Sequence, residues 1–202
     1  MSPAPSLADR RLYLIAPAVL GLEELIEAGV RGGVDVVQVR EKALLDGELL
    51  PRLECAREVT RRLGVPLVVN DRPDLAVLCE ADFVHLGQDD LPADAARRFG
   101  VAVGLSTHAP EEIDRADADY IGVGPVYTTP TKAGRPAVGL ELVRYAAEHA
   151  RQPWFAIGGI DGTNIRDVVA AGAPRVAVVR AICEAADPER AAASLRAALD
   201  SR

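Results

Sequence analysis

A chain of 202 residues, 49% hydrophobic and 26% charged, is long enough for one well-cored domain. With 30 acidic against 23 basic residues, its net charge of -7 disfavours nucleic acid or an anionic membrane as a partner and confines any phosphate site to a local basic cluster. No apolar run approaches the roughly 20 residues of a membrane span, the start MSPAPSLADRR has no apolar signal region, and Cys55, Cys79 and Cys183 are scattered without metal-type spacing, so a reducing cytoplasm is expected.

Taken in order, short apolar runs alternate with helical patterns. Arg11–Ala16 (RLYLIA) and Val34–Arg40 (VDVVQVR) come first. A helical face formed by Leu49, Leu53, Ala56 and Leu63 follows, then Pro66–Asn70 (PLVVN). Pro73, Pro92 and Pro110 each open a helical segment, and between them lie Phe83–Gly87 (FVHLG) and Val101–Ser106 (VAVGLS). Tyr120–Gly124 (YIGVG) and Trp154–Gly159 (WFAIGG) come next. Ile165, Val168, Val169 and Gly172 then share a helical face. Arg175–Arg180 (RVAVVR) is the last apolar run, and Asp187-Pro188-Glu189 reads as an N-cap, a first-turn proline and a first-turn acid. Gly29, Gly64, Gly100 and Gly172 are expected near helix ends.

The runs are continuously hydrophobic, which marks strands buried on both faces of a parallel sheet. Eight strands alternating with helices predict a (βα)8 TIM barrel, a single domain spanning 1–202 with residues 1–10 as a flexible extension. An open doubly wound sheet is the alternative. It lacks its glycine fingerprint, since no GxGxxG opens the first unit.

In a barrel, chemistry sits at the C-terminal ends of the strands. Strand 2 ends in Gln38-Val39-Arg40-Glu41-Lys42, and alternation puts Gln38, Arg40 and Lys42 on one side. Two cations and an amide there suit a polyanion, and Gln38 would otherwise be an awkward polar residue inside a barrel. Strand 3 ends in Asn70-Asp71-Arg72-Pro73 and strand 4 in His85-Leu86-Gly87-Gln88-Asp89-Asp90, so neighbouring strands bring carboxylates to one rim. A hard divalent cation, Mg2+ above all, would relieve their repulsion. The competing reading makes Asp71 and Asp89 helix caps. His85 reads as a packed histidine. Strand 5 supplies Ser106, whose hydroxyl can bond substrate, and His108, which could act as an acid or base but as a loop histidine reads as readily as an exposed one.

Strand 6 runs into Gly122–Lys132, GVGPVYTTPTK. Gly124 and Pro125 stop the strand, and the threonines and Lys132 suit a loop that closes over phosphate. Taken alone, the stretch fits an ordinary polar loop equally well. Strand 7 ends in Gly158-Gly159 and strand 8 in Val179-Arg180, where barrels often hold a phosphate; glycine would let backbone approach the anion. Two anion sites around one mouth imply two phosphorylated substrates or one long bisphosphate.

The segments QVREK, ND, HLGQxD, GLSTH, GVGPVYxTPTK and AIGGI, in this order and spacing, resemble the thiamine-phosphate synthase family over about Leu12 to Ala198. The resemblance implies Mg2+-dependent joining of 4-amino-2-methyl-5-hydroxymethylpyrimidine diphosphate to 4-methyl-5-(2-phosphoethyl)thiazole, or its carboxylated form, with release of diphosphate. It implies that Gln38, Arg40, Lys42, Asn70, Ser106 and Lys132 hold the pyrimidine diphosphate, with Arg40, Lys42, Lys132 and Ser106 acting in catalysis. Asp71 and Asp90 would bind Mg2+; Asp90 is chosen over Asp89 because the family pattern leaves one free residue after the glutamine. Thr129, Pro130, Thr131, Gly159, Val179 and Arg180 would surround the thiazole phosphate. Arg180 departs from the serine common in the family. Rival readings are a thiazole tautomerase using His108, a sugar-phosphate isomerase or aldolase using Lys42 or Lys132, and a non-catalytic thiazole phosphate sensor. The expected partners are two small phosphorylated heterocycles, with neither nucleic acid nor membrane; the sequence is compatible with a homo-oligomer but does not set the oligomeric state.

Overall fold

The computed structural model describes residues 4–129 and 136–201. Pro130, Thr131 and Lys132 therefore lie outside the described residues. Eight parallel strands close into a barrel in sequence order: β1 (Leu12–Ala16), β2 (Val36–Val39), β3 (Leu67–Asn70), β4 (Phe83–Leu86), β5 (Ala102–Thr107), β6 (Tyr120–Val123), β7 (Trp154–Ile157) and β8 (Val176–Val178). Strand β1 pairs with both β2 and β8, which leaves no sheet edge. The barrel prediction holds.

Around it run α1 (Leu22–Arg31), α2 (Asp46–Leu63), α3 (Pro73–Leu78), α4 (Ala93–Arg97) and α5 (Pro110–Arg115). They are followed by α6 (Gly139–His149), α7 (Ile165–Ala170), α8 (Arg180–Cys183) and α9 (Pro188–Asp200).

Period-2 alternation explains why the strands look hydrophobic throughout. Leu12, Leu14, Val37 and Val39 face the helices and are buried in the shell between sheet and helices. Tyr13, Ile15, Phe83, Tyr120 and Phe155 face inward and form a separate cluster inside the barrel, to which Leu7 adds a buried side chain. Four of these five strand residues are aromatic, and all are buried in the barrel interior.

Helix starts match the sequence signals. Pro73 and Pro110 are first-turn prolines, and the Asp187 carboxylate accepts from the Arg190 N–H at 3.0 Å. Gly29 lies in the last turn of α1, near its end as expected, but the cap is Gly32. A Cβ at 29 would stand 3.2 Å from the Leu14 side chain, a tight contact, so glycine brings this helix close to the sheet. No helix among the described residues is long and apolar enough to cross a membrane.

Candidate active site

A cavity of about 650 Å3 opens where the strands end. Gln38, Arg40, Lys42, Asn70, Asp71, Asp90, Ser106, Thr129, Gly159, Val179 and Arg180 all line it. Every sequence-predicted site residue within the described chain is thus brought to one place. The volume is in the range of small-molecule sites.

One pole is built from β2, β3 and β4. The Asp71 backbone is left-handed (φ 61°), a conformation aspartate tolerates better than most residues, and its N–H donates to the His85 carbonyl at 2.9 Å. This turn sends the carboxylate into the cavity instead of onto α3. The helix cap is Arg72, with no side-chain cap bond, so the capping role for Asp71 is excluded. The cap of α4 is Pro92, which removes the same role from Asp89. Arg72 itself pairs with Asp46 and Asp74.

Lys42 Nζ stands 2.9 Å from Asp71 Oδ2. Asp90 Oδ2 accepts from the Gly87 N–H at 2.7 Å, which aims its carboxylate toward Asp71. Burial pushes the Asp71 carboxyl above the usual aspartate range; Lys42 pulls it down and the hydrogen-bonded Asp90 pushes it up. Two oxygen-donor carboxylates in contact, with one lysine offsetting them, are a donor set that fits a hard divalent cation. No group of three His, Cys, Asp or Glu side chains with metal-binding geometry occurs among the described residues. An ion here would take its remaining oxygens from water or phosphate, which is how Mg2+ is usually held. Asn70 is 8% exposed and its Nδ2 has no hydrogen-bond partner, a buried donor turned to the cavity wall.

The floor is polar and continuous. Gln38 Nε2 donates to the Tyr13 hydroxyl at 2.6 Å, and that hydroxyl lies 3.0 Å from the Tyr120 hydroxyl. The Tyr120 hydroxyl lies 2.9 Å from His85 Nδ1, and His85 Nε2 lies 3.0 Å from Ser106 Oγ. Gln88 Nε2 donates to the Ser106 carbonyl at 2.6 Å. His85 is therefore packed, as expected, but within a hydrogen-bonded network that reaches the cavity.

The other pole is built from β6, β7 and β8, and mostly from backbone. Val126 N–H donates to the Ile157 carbonyl at 2.8 Å and Tyr127 N–H to the Gly158 carbonyl at 2.9 Å. The chain after β6 is zipped to the end of β7. Gly159 has φ 65°, and a Cβ there would meet Tyr127 Cβ at 2.8 Å and the Thr128 carbonyl oxygen at 2.9 Å. The sequence pattern links Gly158-Gly159 to close approach of a phosphate. The contacts give it a nearer cause: left-handed backbone pressed against the β6 loop. Val138 N–H bonds the Pro125 carbonyl at 2.8 Å, which ties the far side of that loop to its near side. Asp161 beside it is held low, first by the Thr163 hydroxyl and then by the Thr163 N–H, with Arg180 contributing charge.

His108 lines the cavity, but its ring Nδ1 is hydrogen-bonded to the Gly124 carbonyl and its N–H donates to Glu112. Its Nδ1–H therefore donates to the chain after β6. The residues that sequence reasoning passed over are Tyr13, Tyr120 and Gln88. A signal existed for the tyrosines: two inward strand positions carry hydroxyls, where a purely apolar barrel would carry Phe or Leu.

The thiamine monophosphate synthase family model matches residues 12–182. Among curated relatives, the thiamine-phosphate synthase of Thermus thermophilus is 53% identical over 92% of this chain and 95% of its own length. That of an Arthrobacter species is 48% identical over 100% of this chain and 99% of its own. The solved thiamine phosphate pyrophosphorylase from Pyrococcus furiosus superposes with a TM-score of 0.86 at 31% identity, covering 94% of this chain and 95% of that one. A 3-hexulose-6-phosphate synthase structure, at 20% identity and a TM-score of 0.67, shares the fold. Full-length likeness at this level, over a chain that carries the motifs in one cavity, shows that the protein belongs to the thiamine monophosphate synthase family.

Proposed function

We propose that the protein is a transferase that joins 4-amino-2-methyl-5-hydroxymethylpyrimidine diphosphate to 4-methyl-5-(2-phosphoethyl)thiazole, or its carboxylated form, giving thiamine phosphate and diphosphate. The observation that carries the reading is the trio of Lys42, Asp71 and Asp90 at one end of a cavity whose other end is lined by Gly159 and Arg180. A tautomerase or a sensor of the thiazole alone has no use for the first group. Family membership points the same way.

Asp71 and Asp90 would hold Mg2+, which supplies positive charge to the departing diphosphate. Arg40, Lys42 and Lys132 donate to the same oxygens and stabilise charge as the C–O bond stretches. Asn70 gives its orphan amide hydrogen to this substrate, and Gln38 and Ser106 fix its orientation. Thr129, Pro130, Thr131, Gly159, Val179 and Arg180 hold the thiazole phosphate. The thiazole nitrogen attacks with a free lone pair, so the site needs position and charge rather than a strong base. The three cysteines are free thiols, in keeping with a cytoplasmic setting.

The test mixes both substrates with Mg2+ and follows thiamine phosphate and diphosphate. Equimolar appearance of the two products supports the reading. Isomerised thiazole without diphosphate release would transfer it to the tautomerase.

A further inference from the structure

The hydrogen bonds on the cavity floor form one chain from Gln38 to Ser106. Its polarity follows from bookkeeping of hydrogens. Gln38 presents its amide nitrogen to Tyr13, and an amide N–H can only donate, so the Tyr13 oxygen accepts. Tyr13 is 2% exposed, and its own hydrogen must find an acceptor or remain buried unpaired. The oxygen in reach is that of Tyr120. The Tyr120 hydrogen then goes to His85 Nδ1. A neutral imidazole that accepts at Nδ1 carries its hydrogen at Nε2, and Nε2 faces Ser106 Oγ. With Gln38 donating, reversing the Tyr13–Tyr120 link strands the Tyr13 hydrogen, and reversing the Tyr120–His85 link strands that of Tyr120.

The fold makes room for this chain. A Cβ on Gly104 would sit 2.1 Å from a Tyr120 ring atom, a clash, and one on Gly122 would come into contact with the His85 ring at 3.4 Å. The Tyr120 ring is held edge-on by Phe83 at 5.6 Å and by Phe155 at 5.9 Å between centroids. Burial pushes both phenols upward from their ordinary pKa, so each remains a neutral hydroxyl.

We propose that Tyr120 and His85 are positioning residues for the condensation: the chain from Gln38 sets His85 as its Nε2–H tautomer and thereby makes Ser106 a hydrogen-bond donor to an acceptor atom of the pyrimidine diphosphate, a ring nitrogen or a phosphate oxygen. This rests on the reading of Ser106 and Gln38 as pyrimidine-site residues. The chain also ties those two residues together across the barrel floor, so the amide and the hydroxyl are oriented as one unit.

The experiment has two arms. In the first, 15N-histidine spectra of the wild-type protein are recorded, with His85→Gln to assign its signals. The proposal expects a protonated Nε2 and an unprotonated Nδ1 on His85, and a change in that pattern in Tyr120→Phe. A His85 protonated at Nδ1, or unmoved by Tyr120→Phe, overturns it. In the second, kcat is measured for Tyr120→Phe, Ser106→Ala and the double variant. Tyr120→Phe alone is expected to lower kcat by about three- to tenfold, the scale of one net hydrogen bond. Its effect should vanish in the Ser106→Ala background, with KM for the thiazole phosphate unchanged throughout. Multiplicative losses in the double variant would assign Tyr120 a packing role and overturn the proposal. If Tyr120→Phe does not fold, the wild-type tautomer still decides. Failure of the functional reading is separate: the wild-type protein would then form no thiamine phosphate, whatever the spectra show.

Discussion

The two poles of the cavity are made of different materials. At the β2–β4 pole the chemistry is in side chains: Arg40, Lys42, Asn70, Asp71 and Asp90. At the β6–β8 pole the wall is largely glycine and main chain, with the loop after β6 stitched to the end of β7. The difference suits the ligands proposed for each. A departing diphosphate changes charge during reaction and needs formal charges set against it. A phosphate that only anchors a substrate needs a rigid cradle. Damage at the first pole should therefore fall on kcat and on pyrimidine diphosphate binding, and damage at the second on thiazole phosphate affinity.

Asp90→Ala is the strongest way to break that contrast. Loss of one of the two carboxylates should cut Mg2+-dependent kcat by about 10^2- to 10^3-fold, with thermal unfolding little changed, as steady-state assays over a Mg2+ titration would read. Full activity in this variant would remove the metal assignment. Lys42→Ala comes next. Removing one charge-assisted contact to the diphosphate should lower kcat by about 10- to 100-fold while KM for the thiazole phosphate stays put. A rise confined to that KM would place Lys42 at the wrong pole.

Gly159→Ala tests the cradle. A side chain in left-handed backbone, pressed on Tyr127, should cost about 1–3 kcal/mol of stability, seen as a lower Tm, and raise the thiazole phosphate KM more than it lowers kcat. An unchanged Tm would mean the loop gives way easily. The smallest effect is expected at Asp161. Its folded-state pKa is depressed, so it contributes stability above the unfolded value and loses it as pH falls through the lowered one. Asp161→Asn should lower Tm slightly at neutral pH, match wild type below the lowered pKa, and so flatten the Tm profile across that acid window. An identical acid slope in both proteins would contradict the hydrogen-bonded role given to the carboxylate.

The side-chain pole was legible in the sequence because alternation fixes which residues share a strand face. Gln38, Arg40 and Lys42 could be put on one side, and Asp71 and Asp90 on one rim, without coordinates. The barrel was legible because strands buried on both faces read as unbroken apolar runs. The glycine pole was found at the right place for an incomplete reason. That Gly159 presses on Tyr127 depends on a loop 30 residues earlier in the chain, and no local pattern encodes it. The floor network was hidden for a similar reason. Tyr13 and Tyr120 pass as strand hydrophobes, and their hydroxyl contact spans 107 residues. That Gly29 packs against Leu14 while Gly32 caps α1 is not legible, because a capping glycine and a glycine packed under a strand residue look alike in one dimension.

The central claim, that the poles hold different ligands, is tested most directly by calorimetric binding of each substrate alone, with Mg2+ present, to wild type, Asp90→Ala and Gly159→Ala. The account predicts a crossed pattern: Asp90→Ala weakens the pyrimidine diphosphate and spares the thiazole phosphate, and Gly159→Ala does the reverse. Equal weakening of both ligands in both variants would contradict it.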